Sequence, residues 1–289
     1  YLKYMKILVL GSNGLLGKYF CVSKEKKVHD LVEINRNLYP EVNFMNPDSV
    51  IKLLREEKPD TVVNCVAVTS FEACNKDYEA AYQINANTPS DISKYCHVSG
   101  INFIHISTDH FFGSDELRLH TEEDPISLVN NYAISKYEGE QMVLENDSSL
   151  VLRTSIIGRT LEQRTFLDWT IKAIKDSNRV GLFSDSYTSF IHCSQLCSII
   201  FELLSKEARG LFNVSCSEVF TKAEFCIELA NRMDFNLNYY LTSSESQKIK
   251  KATSCGLSSK KLYDKYSIKT PSFIEVIEAS ALEEENLKH

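Results

Sequence analysis

Short apolar runs alternate with longer amphipathic segments along the first half of the chain. The runs at 6–10, 31–34, 61–65, 103–106 and 150–153 have the length and the aliphatic composition of buried strands. Between them, residues 15–22, 49–57, 78–98 and 131–145 repeat apolar positions with the period of a helix. Repeated β-α-β units predict a parallel sheet that helices cover on both faces. We therefore predict an α/β fold with a Rossmann-type doubly wound parallel sheet.

The second half is less regular and predicts a smaller α/β lobe. Helical spacing recurs at 166–176, 194–205, 222–233 and from about 272, and 210–214 has the pattern of a strand. The polar stretch 243–251 predicts a loop. We predict a first domain over 1–155, completed by residues 190–215, and a second lobe formed mainly by 156–289.

Composition excludes several classes of protein. The 289 residues carry a net charge of −7, which argues against a nucleic-acid binder because no basic excess is available to neutralise phosphates. No apolar stretch reaches the roughly 18 residues of a membrane span, and the N-terminal apolar run is too short for a signal peptide. The nine cysteines are scattered without a Cys-x-x-Cys pair, so we expect free thiols, no metal site and a cytoplasmic location.

A glycine-rich turn follows the first predicted strand and opens a helix. Its sequence is Gly-Ser-Asn-Gly-Leu-Leu-Gly over residues 11–17. In a β-α-β unit such a turn lets backbone N–H groups approach a dinucleotide pyrophosphate, although a purely structural turn is the alternative. The predicted cofactor contacts here are Gly11, Asn13, Gly14, Leu15, Leu16 and Gly17.

The ends of the next two strands refine the cofactor prediction. NAD-selective sites place Asp or Glu after the second strand to bind the ribose hydroxyls. This chain has Asn35 and Arg36 there instead, and Arg36 could pair with a 2′-phosphate. NADPH is therefore favoured, with NADH as the alternative. The backbone of residues 65–67 (Cys65, Val66 and Ala67) should border the cofactor, because ligands bind beyond the carboxyl ends of parallel strands.

A candidate catalytic group follows the fourth strand. Ser107 and Thr108 end that strand, and Tyr132 comes 24 residues after Thr108, followed by Lys136. Side chains four apart share one face of a helix. A lysine ammonium lowers the pKa of a neighbouring phenol, and the phenol can then donate a proton to a carbonyl oxygen as hydride arrives. A solvated helix face is the alternative for Tyr132 and Lys136 taken alone.

With these residues assembled, the chain resembles the extended short-chain dehydrogenase/reductase superfamily, and within it the dTDP-4-dehydrorhamnose reductase family. The resemblance rests on the glycine turn, on Ser107–Thr108–Asp109, on Tyr132-x-x-x-Lys136-x-x-Gly139-Glu140 and on Arg153–Thr154–Ser155. It implies NAD(P)H-dependent reduction of the ketone of a nucleotide-linked 4-keto-6-deoxysugar, in the biosynthesis of cell-surface polysaccharide. It also implies that Thr108, Tyr132 and Lys136 are catalytic and that Asn43 and Phe44 contact adenine.

The chain departs from that family mainly where the substrate should bind. Ile156 stands where the family has a tryptophan, His110 where it has a tyrosine, and Lys251–Ala252 where it has Arg-Pro. The segment 187–190 also differs. His110 could contact the substrate, act as an extra acid, or be a loop histidine without a role in proton transfer. The predicted substrate contacts are Ser107, His110, Ile156, Asp185 and Lys251.

Two other functions stay open at this point. A nucleotide-sugar epimerase or dehydratase uses the same Tyr/Lys pair with tightly held NAD, but dehydratases place Glu after the Asp that corresponds to Asp109, where this chain has His110. A non-catalytic regulatory subunit, such as the β subunit of methionine adenosyltransferase, is the other alternative. The expected partner is the nucleotide sugar, and a homodimer is an open possibility.

Overall fold

The computed structural model describes residues 4–113, 119–160, 162, 164–176, 178–246 and 248–286. In chain order the strands and α-helices are β1 (Lys6–Leu10), α1 (Leu15–Val22), β2 (Asp30–Ile34), α2 (Pro47–Glu57), β3 (Thr61–Asn64), α3 (Phe71–Lys76), α4 (Tyr78–Tyr82), α5 (Thr88–Ser99), β4 (Asn102–Ile106), α6 (Asn131–Leu144), β5 (Ser149–Arg153), β6 (Ile156–Ile157), α7 (Phe166–Lys175), β7 (Val180–Phe183), β8 (Tyr187–Thr188), β9 (Ile191–His192), α8 (Cys193–Ser205), β10 (Gly210–Asn213), β11 (Phe220–Thr221), α9 (Lys222–Arg232), β12 (Tyr239–Thr242), β13 (Ser254–Cys255), α10 (Lys260–Tyr266) and α11 (Phe273–Asn286). A π-helical segment, Gln83–Asn87, joins α4 to α5.

The chain forms two compact units. The first unit contains residues 1–108, 129–153 and 197–212, and the second contains 109–128, 154–196 and 213–289. These units differ from the predicted division at residue 155, because the segment 109–128 groups with the second unit. That segment follows β4, so local sequence gives no sign that the chain leaves the first unit there. The assignment of cofactor to one unit and substrate to the other stays a prediction.

The first unit is built around a six-stranded sheet with the order β10-β5-β4-β3-β1-β2. The pairs β1–β2, β1–β3, β3–β4 and β4–β5 are all parallel. The predicted doubly wound fold is therefore confirmed. Strand order reverses between β1 and β3, and in such sheets this switch point is where a crevice for ligands opens beyond the strand ends.

Both faces of this sheet are buried, which explains why its strands are apolar without alternation. On one face Leu8 and Val62 pack against Val50 of α2 and Ile92 of α5 in a single core cluster. Another cluster of contacts joins α1 to α8, where the rings of Phe20 and Phe201 stack with their centroids 4.5 Å apart. Each strand residue thus removes apolar surface from water whichever way its side chain points.

Side-chain caps define where several helices begin. The Asn46 side chain accepts a hydrogen bond from the Asp48 N–H at 3.2 Å, with Pro47 in the first turn of α2. The Asn130 side chain accepts from the Ala133 N–H at 2.9 Å. These caps bind the N–H groups that a helix leaves without intrahelical partners. Asn130 thereby places Tyr132 in the first turn of α6.

The predicted helix over 78–98 is wrong as one continuous element. The structure divides it into α4, the π-helical segment 83–87 and α5. The Asn85 side chain at this point donates to the Val68 carbonyl at 3.0 Å and to the Ser135 hydroxyl at 2.9 Å. A π turn inserts one residue into the helix, and its tertiary partners lie far away in sequence. Apolar periodicity alone does not reveal such an insertion.

The second unit has a core of its own between α7, α9 and α11. Leu167, Phe225 and Val276 are fully buried members of this cluster. Capping boxes begin α7 at Thr165 and α9 at Thr221. Its strands are short: β6 pairs with β9, β7 with β12, and β8 with both β11 and β13. The sequence did not predict α3, α10, β7 or β12, because each is too short to show a clear period.

Two expectations from composition concern the part of the chain that the structure describes. Within those residues, no helix has both the length and the hydropathy required to cross a membrane. All nine cysteines are free thiols, and every one except Cys65 is buried. The predicted absence of disulfides is confirmed, and the buried thiols pack as small apolar groups.

Candidate active site

The glycine turn lies at the carboxyl end of β1, where the sequence predicts the cofactor. Gly11 has φ +79°, a conformation that favours glycine, and a Cβ at Gly17 would lie 2.3 Å from the Gly11 carbonyl oxygen. Gly14 is the N-cap of α1 and offers no side-chain hydrogen bond to the first turn. The N-terminus of α1 can therefore bind an external anion. Asn13 and Gly14 are exposed, Leu15 is half-buried, and Leu16 is buried, so Leu16 can reach a ligand only through its backbone.

Asn35 supports the glycine turn from the end of β2. Its side-chain amide donates to the Ser12 hydroxyl at 2.8 Å, and its oxygen accepts from the N–H groups of Asn37 and Leu38 at 3.0 and 3.2 Å. These bonds give Asn35 a structural role that the sequence prediction did not include. Arg36 is exposed beside it, where its guanidinium can meet a 2′-phosphate.

Asn43 and Phe44 are held by internal contacts. Phe44 is 5% exposed in the core cluster of the first unit, and its carbonyl accepts from the Thr88 hydroxyl at 2.8 Å. The Asn43 side chain accepts from the Met45 N–H at 3.0 Å. The Phe44 ring thus packs as a core residue, and an adenine contact at Asn43 and Phe44 stays a prediction.

The loop after β3 lies beside the glycine turn, at the same carboxyl edge of the sheet. Residues 65–67 are half-buried, and the Cys65 N–H donates to the Leu10 carbonyl at 3.0 Å. A Cβ at Gly11 would lie 3.0 Å from a methyl group of Val66, so the turn and this loop are in close contact. Burial raises the pKa of the Cys65 thiol to about 12, which keeps it neutral.

Tyr132 and Lys136 lie on α6 as the i, i+4 spacing predicts. Lys136 is 1% exposed, and its Nζ donates to the Ile106 carbonyl at 2.7 Å. Its Nζ is also 3.3 Å from His105 Nε2. Tyr132 is buried, with its ring edge-on to Phe71 at a centroid distance of 5.3 Å. The structure therefore anchors Lys136 at the carboxyl end of β4, and Thr108 follows the same strand end.

Burial is the main cause that lowers the pKa of Lys136, to about 8. Glu140 and Cys65 act in the opposite direction but do not outweigh it. At neutral pH the ammonium form still predominates, yet it loses its proton far more readily than an exposed lysine. A lysine in this state can bind hydroxyl oxygens and also exchange a proton.

Ser107 belongs to a buried charge network, and its role as a substrate contact stays a prediction. Its hydroxyl donates to Glu140 Oε2 at 2.8 Å. Arg153 Nε donates to the two Glu140 oxygens at 3.1 and 3.0 Å, and all three side chains are buried. The network joins α6 to the ends of β4 and β5. A buried carboxylate requires such partners, so the hydroxyl hydrogen of Ser107 is used by Glu140, while its oxygen can still accept a hydrogen bond.

His105 and Asn64 also touch this region, although neither side chain was predicted as a site residue. Both are buried, and Asn64 Nδ2 lies 3.1 Å from His105 Nδ1. Their signal was a polar residue within an otherwise apolar strand, because buried polar groups are rare unless they have partners.

In the second unit, Asp109, His110 and Cys255 come together. One potential ligand atom from each lies within 4.8 Å of the others, which is close enough to share a metal ion, a possibility that the sequence did not indicate. Burial is the main cause that lowers the pKa of His110, and Lys222 and Lys251 act in the same direction against Asp109. A neutral imidazole at neutral pH counts against the alternative in which His110 acts as an extra acid.

The remaining predicted substrate contacts lie at separate elements of the second unit. Asp185 accepts hydrogen bonds from the Ser244 N–H at 2.8 Å and from the Ser243 hydroxyl. These bonds outweigh burial and lower its pKa, so Asp185 anchors the 243–244 loop. Ile156 pairs with Ile191 through β6 and β9. Lys251 is half-buried and contributes to the positive potential at His110.

A cavity of about 330 Å³ lies elsewhere in the second unit, beside β7. Its lining combines three aromatic residues with a glycine, a leucine, a lysine and a cysteine: Phe166, Trp169, Gly181, Leu182, Phe183, Lys222 and Cys226. Lys222 Nζ is 5.8 Å from the centre of the Phe166 ring. Aromatic faces beside a cation suit a ligand that combines a flat ring with negative charge.

Comparison with known proteins gives a family match that covers almost the whole chain. The sequence profile of the RmlD substrate binding domain matches residues 5–285. The chain belongs to the RmlD substrate binding domain family. The resemblance inferred from the motifs is therefore confirmed at the level of the family.

Individual relatives of this RmlD family member are named for different functions. The probable low-salt glycan biosynthesis reductase Agl14 of Haloferax volcanii is 28% identical over 233 residues, which is 76% of this chain and 78% of the relative. The methionine adenosyltransferase 2 subunit beta of Rattus norvegicus is 26% identical over 247 residues, 80% of this chain and 72% of the relative. The proteins that are similar in sequence thus include both a reductase and a subunit of a different enzyme.

Solved structures show the same fold for the RmlD family chain. The dTDP-4-dehydrorhamnose reductase of Bacillus anthracis, in complex with NADP, superimposes with a TM-score of 0.89. The alignment covers 97% of this chain and 100% of that one at 23% identity. At this identity the likeness supports the fold alone.

Proposed function

We propose that this chain is an NAD(P)H-dependent reductase of the keto group of a nucleotide-linked 4-keto-6-deoxysugar, acting in glycan or polysaccharide biosynthesis. The observation that carries the proposal is the pair Tyr132 and Lys136 on α6, with Lys136 anchored to the end of β4 by its bond to the Ile106 carbonyl. Membership of the RmlD family over residues 5–285 supports it. So does the likeness to a glycan biosynthesis reductase.

The first unit has the features that a dinucleotide requires. The uncapped N-terminus of α1 can bind the pyrophosphate, and residues 65–67 form the neighbouring edge. Arg36 favours NADPH over NADH, because its guanidinium can bind a 2′-phosphate. When bound, the cofactor supplies the hydride for the carbonyl carbon. The proposed cofactor contacts are those of the sequence analysis, with Leu16 and Phe44 limited to their backbones.

Residues of the chain itself supply the proton that the carbonyl oxygen of the substrate takes up. The Lys136 ammonium would hold the nicotinamide ribose of a bound cofactor, and its positive charge would stabilise negative charge that develops on the Tyr132 oxygen. The phenol of Tyr132 donates its proton to the carbonyl oxygen, and the Thr108 hydroxyl donates a hydrogen bond to the same oxygen. His110 and Lys251 are proposed substrate contacts in the second unit. All nine cysteines are free, which supports a reducing compartment such as the cytoplasm.

Replacement of the proton donor tests this proposal. With NADPH and a panel of 4-keto nucleotide sugars, Tyr132→Phe should reduce turnover by at least about 10²-fold, since general acid catalysis contributes that much or more. Cofactor binding should be retained. Tyr137→Phe removes the same hydroxyl from a neighbouring position of α6 and should stay close to the wild-type rate. Full activity in Tyr132→Phe would contradict the assignment of the proton donor.

Two alternatives have distinct outcomes in the same assay. An epimerase would convert the sugar without net consumption of NADPH. A regulatory subunit, which the likeness to methionine adenosyltransferase 2 subunit beta favours, would bind NADPH without turnover of any sugar in the panel. A homodimer stays a proposal that sedimentation of the purified chain can test. Stoichiometric loss of NADPH with formation of the corresponding 4-hydroxy sugar supports the reductase alone.

A further inference from the structure

A chain of hydrogen bonds leads from the end of β3 to Lys136. The Val66 N–H donates to Asn64 Oδ1 at 3.1 Å, so the oxygen of the Asn64 amide faces the backbone. The amide nitrogen, Nδ2, then faces His105 Nδ1 at 3.1 Å. This arrangement fixes which end of the Asn64 amide meets the imidazole, because Oδ1 is the only one of the two atoms that can accept the Val66 N–H.

The orientation of Asn64 determines the tautomer of His105. An amide Nδ2 only donates, so His105 Nδ1 must accept and cannot carry a hydrogen. Burial, together with the charge of Lys136, lowers the pKa of His105 well below its ordinary value, and the imidazole is neutral. A neutral imidazole has one N–H group. That group is therefore Nε2–H, and it points toward Lys136.

The hydrogen on His105 Nε2 has a consequence for Lys136. The two nitrogens are 3.3 Å apart, and an Nε2–H donor needs an acceptor. A lysine ammonium has three donors and no lone pair, whereas the neutral amine has one lone pair. The hydrogen-bond chain is thus complete only when Lys136 is an amine. The bond from Nζ to the Ile106 carbonyl, at 2.7 Å, forms in either state.

The other groups around Lys136 also affect the balance between its ammonium and amine forms. Glu140 on α6 favours the ammonium. Cys65 after β3 would do so as a thiolate, but burial raises the pKa of its thiol to about 12. Tyr132 lies one turn before Lys136 on α6. His105 on β4 is the group that presents a donor to Nζ, and it acts together with burial against Glu140.

We propose that Asn64 and His105 are positioning residues that present a hydrogen-bond donor to Lys136 and so favour its neutral amine form within the catalytic cycle. The inference rests on the proposed function for the role of Tyr132. After the Tyr132 phenol has protonated the carbonyl oxygen, its phenolate takes a proton from the Lys136 ammonium. An N–H bond breaks, an O–H bond forms, and the resulting amine accepts from His105 Nε2–H. A proton taken up from the solvent then restores the ammonium, so that one solvent proton is consumed for each hydride transferred.

Asn64→Asp reverses the donor and acceptor roles along the hydrogen bonds from residue 64 through His105 to Lys136, with little change in side-chain shape. An aspartate can still accept from the Val66 N–H, and its second oxygen accepts from His105 Nδ1–H. His105 Nε2 then has a lone pair that accepts from the Lys136 ammonium. In full-length protein with isotope-labelled lysines, the wild-type Lys136 side chain should titrate near 8 by NMR. In Asn64→Asp its pKa should rise by about one unit or more.

His105→Phe separates hydrogen bonding from charge, because it removes the donor and adds no carboxylate. It should also raise the pKa of Lys136, and it decides the question alone if Asn64→Asp does not fold. Asn102→Asp is the matched control, since it adds the same charge at the opposite end of β4. It should leave the Lys136 titration near the wild-type value. An unchanged or lowered Lys136 pKa in His105→Phe would overturn the proposal.

Kinetics separate this proposal from the proposed function. The pH profile of NADPH oxidation should shift in the same direction as the NMR titration, whereas a merely structural role for His105 would lower the rate without moving the profile. If the titration shifts but no 4-keto nucleotide sugar is reduced, the hydrogen-bond inference holds and the proposed function fails. If reduction occurs and both titration and profile are unchanged in His105→Phe, the inference fails and the function holds.

Discussion

Lys136 combines a positive charge with nearly complete burial, and this combination links stability to pH. Its pKa is lowered to about 8 in the folded chain, mainly by burial, from the ordinary 10.5. Between these values the unfolded chain holds a proton that the folded chain has released. The free energy of unfolding should therefore rise with pH across this window, and Lys136 should contribute least to stability below pH 8.

Lys136→Met should reveal this linkage in urea unfolding experiments. As the pH rises from 8 to 9, the wild type should gain on the order of 1 kcal/mol of unfolding free energy relative to the variant, because only the wild type titrates in that window. Lys6→Met is the control. Lys6 is partly exposed, and its bond to Glu57 raises its pKa, so no such gain is expected between pH 8 and 9.

A difference between wild type and Lys136→Met that does not change with pH would contradict the lowered pKa. The same variant should lose reductase activity.

Residue types and spacing predicted part of the site. The i, i+4 spacing of Tyr132 and Lys136 placed both on α6, because helix geometry is local. The bond from Ser107 to Glu140 was not predicted. Glu140 lies 33 positions later, and only the packing of α6 against β4 brings the two together. His105 and Asn64 were missed for the same reason.

At the scale of elements, α6 lies in very close contact with the π-helical segment 83–87. A Cβ at Gly139 would lie 2.0 Å from the Asn85 carbonyl oxygen and 2.9 Å from Ala86 Cα. These neighbours are backbone atoms, so they cannot move aside as a flexible side chain does. Glycine at 139 thus lets α6 approach the segment that also binds Ser135 through the Asn85 side chain.

Gly139→Ala should destabilise the chain by about 1 to 3 kcal/mol, the usual effect of overpacking a tight interior, despite the better helix propensity of alanine. Gln141→Ala, at an exposed position of the same helix, should change stability by less than about 0.5 kcal/mol. Denaturant unfolding of both variants measures the difference. Equal stability of the two would mean that α6 does not need this close approach.

Element boundaries were predicted well where the signal is local. The strand predicted over 6–10 is β1, and the helix predicted over 15–22 is α1. Glycines at the ends of elements and continuous apolar runs are local features of the sequence. The short strands of the second unit were missed, since two-residue strands such as β8 exist only through pairing with β11 and β13.

At the scale of the whole molecule, the proposed function requires a nucleotide site in addition to the cofactor site. The cavity beside β7 in the second unit contains Trp169, the only tryptophan in the sequence. Lys222 on its wall can bind a diphosphate. Trp169 is 43% exposed, so its fluorescence should respond to a ring that stacks in this cavity.

Uridine or thymidine diphosphate should therefore change the fluorescence of Trp169 on binding. Lys222→Met should weaken the binding by about tenfold, since a charge-assisted bond to phosphate contributes on the order of 1.4 kcal/mol or more. Lys260→Met, an exposed lysine in the same unit, should leave the affinity near the wild-type value. Calorimetric binding of the nucleotide without any change in fluorescence would place the nucleotide away from this cavity.

The sequence by itself determined the parallel sheet, the glycine turn and the Tyr132–Lys136 pair, because strand burial, turn conformation and helix spacing act over a few residues. Only the tertiary structure decided which polar groups meet: Ser107 with Glu140, Asn64 with His105, and His105 with Lys136. It also placed 109–128 in the second unit. These contacts join positions distant in sequence, and the direction of each hydrogen bond depends on the partner that folding brings to it.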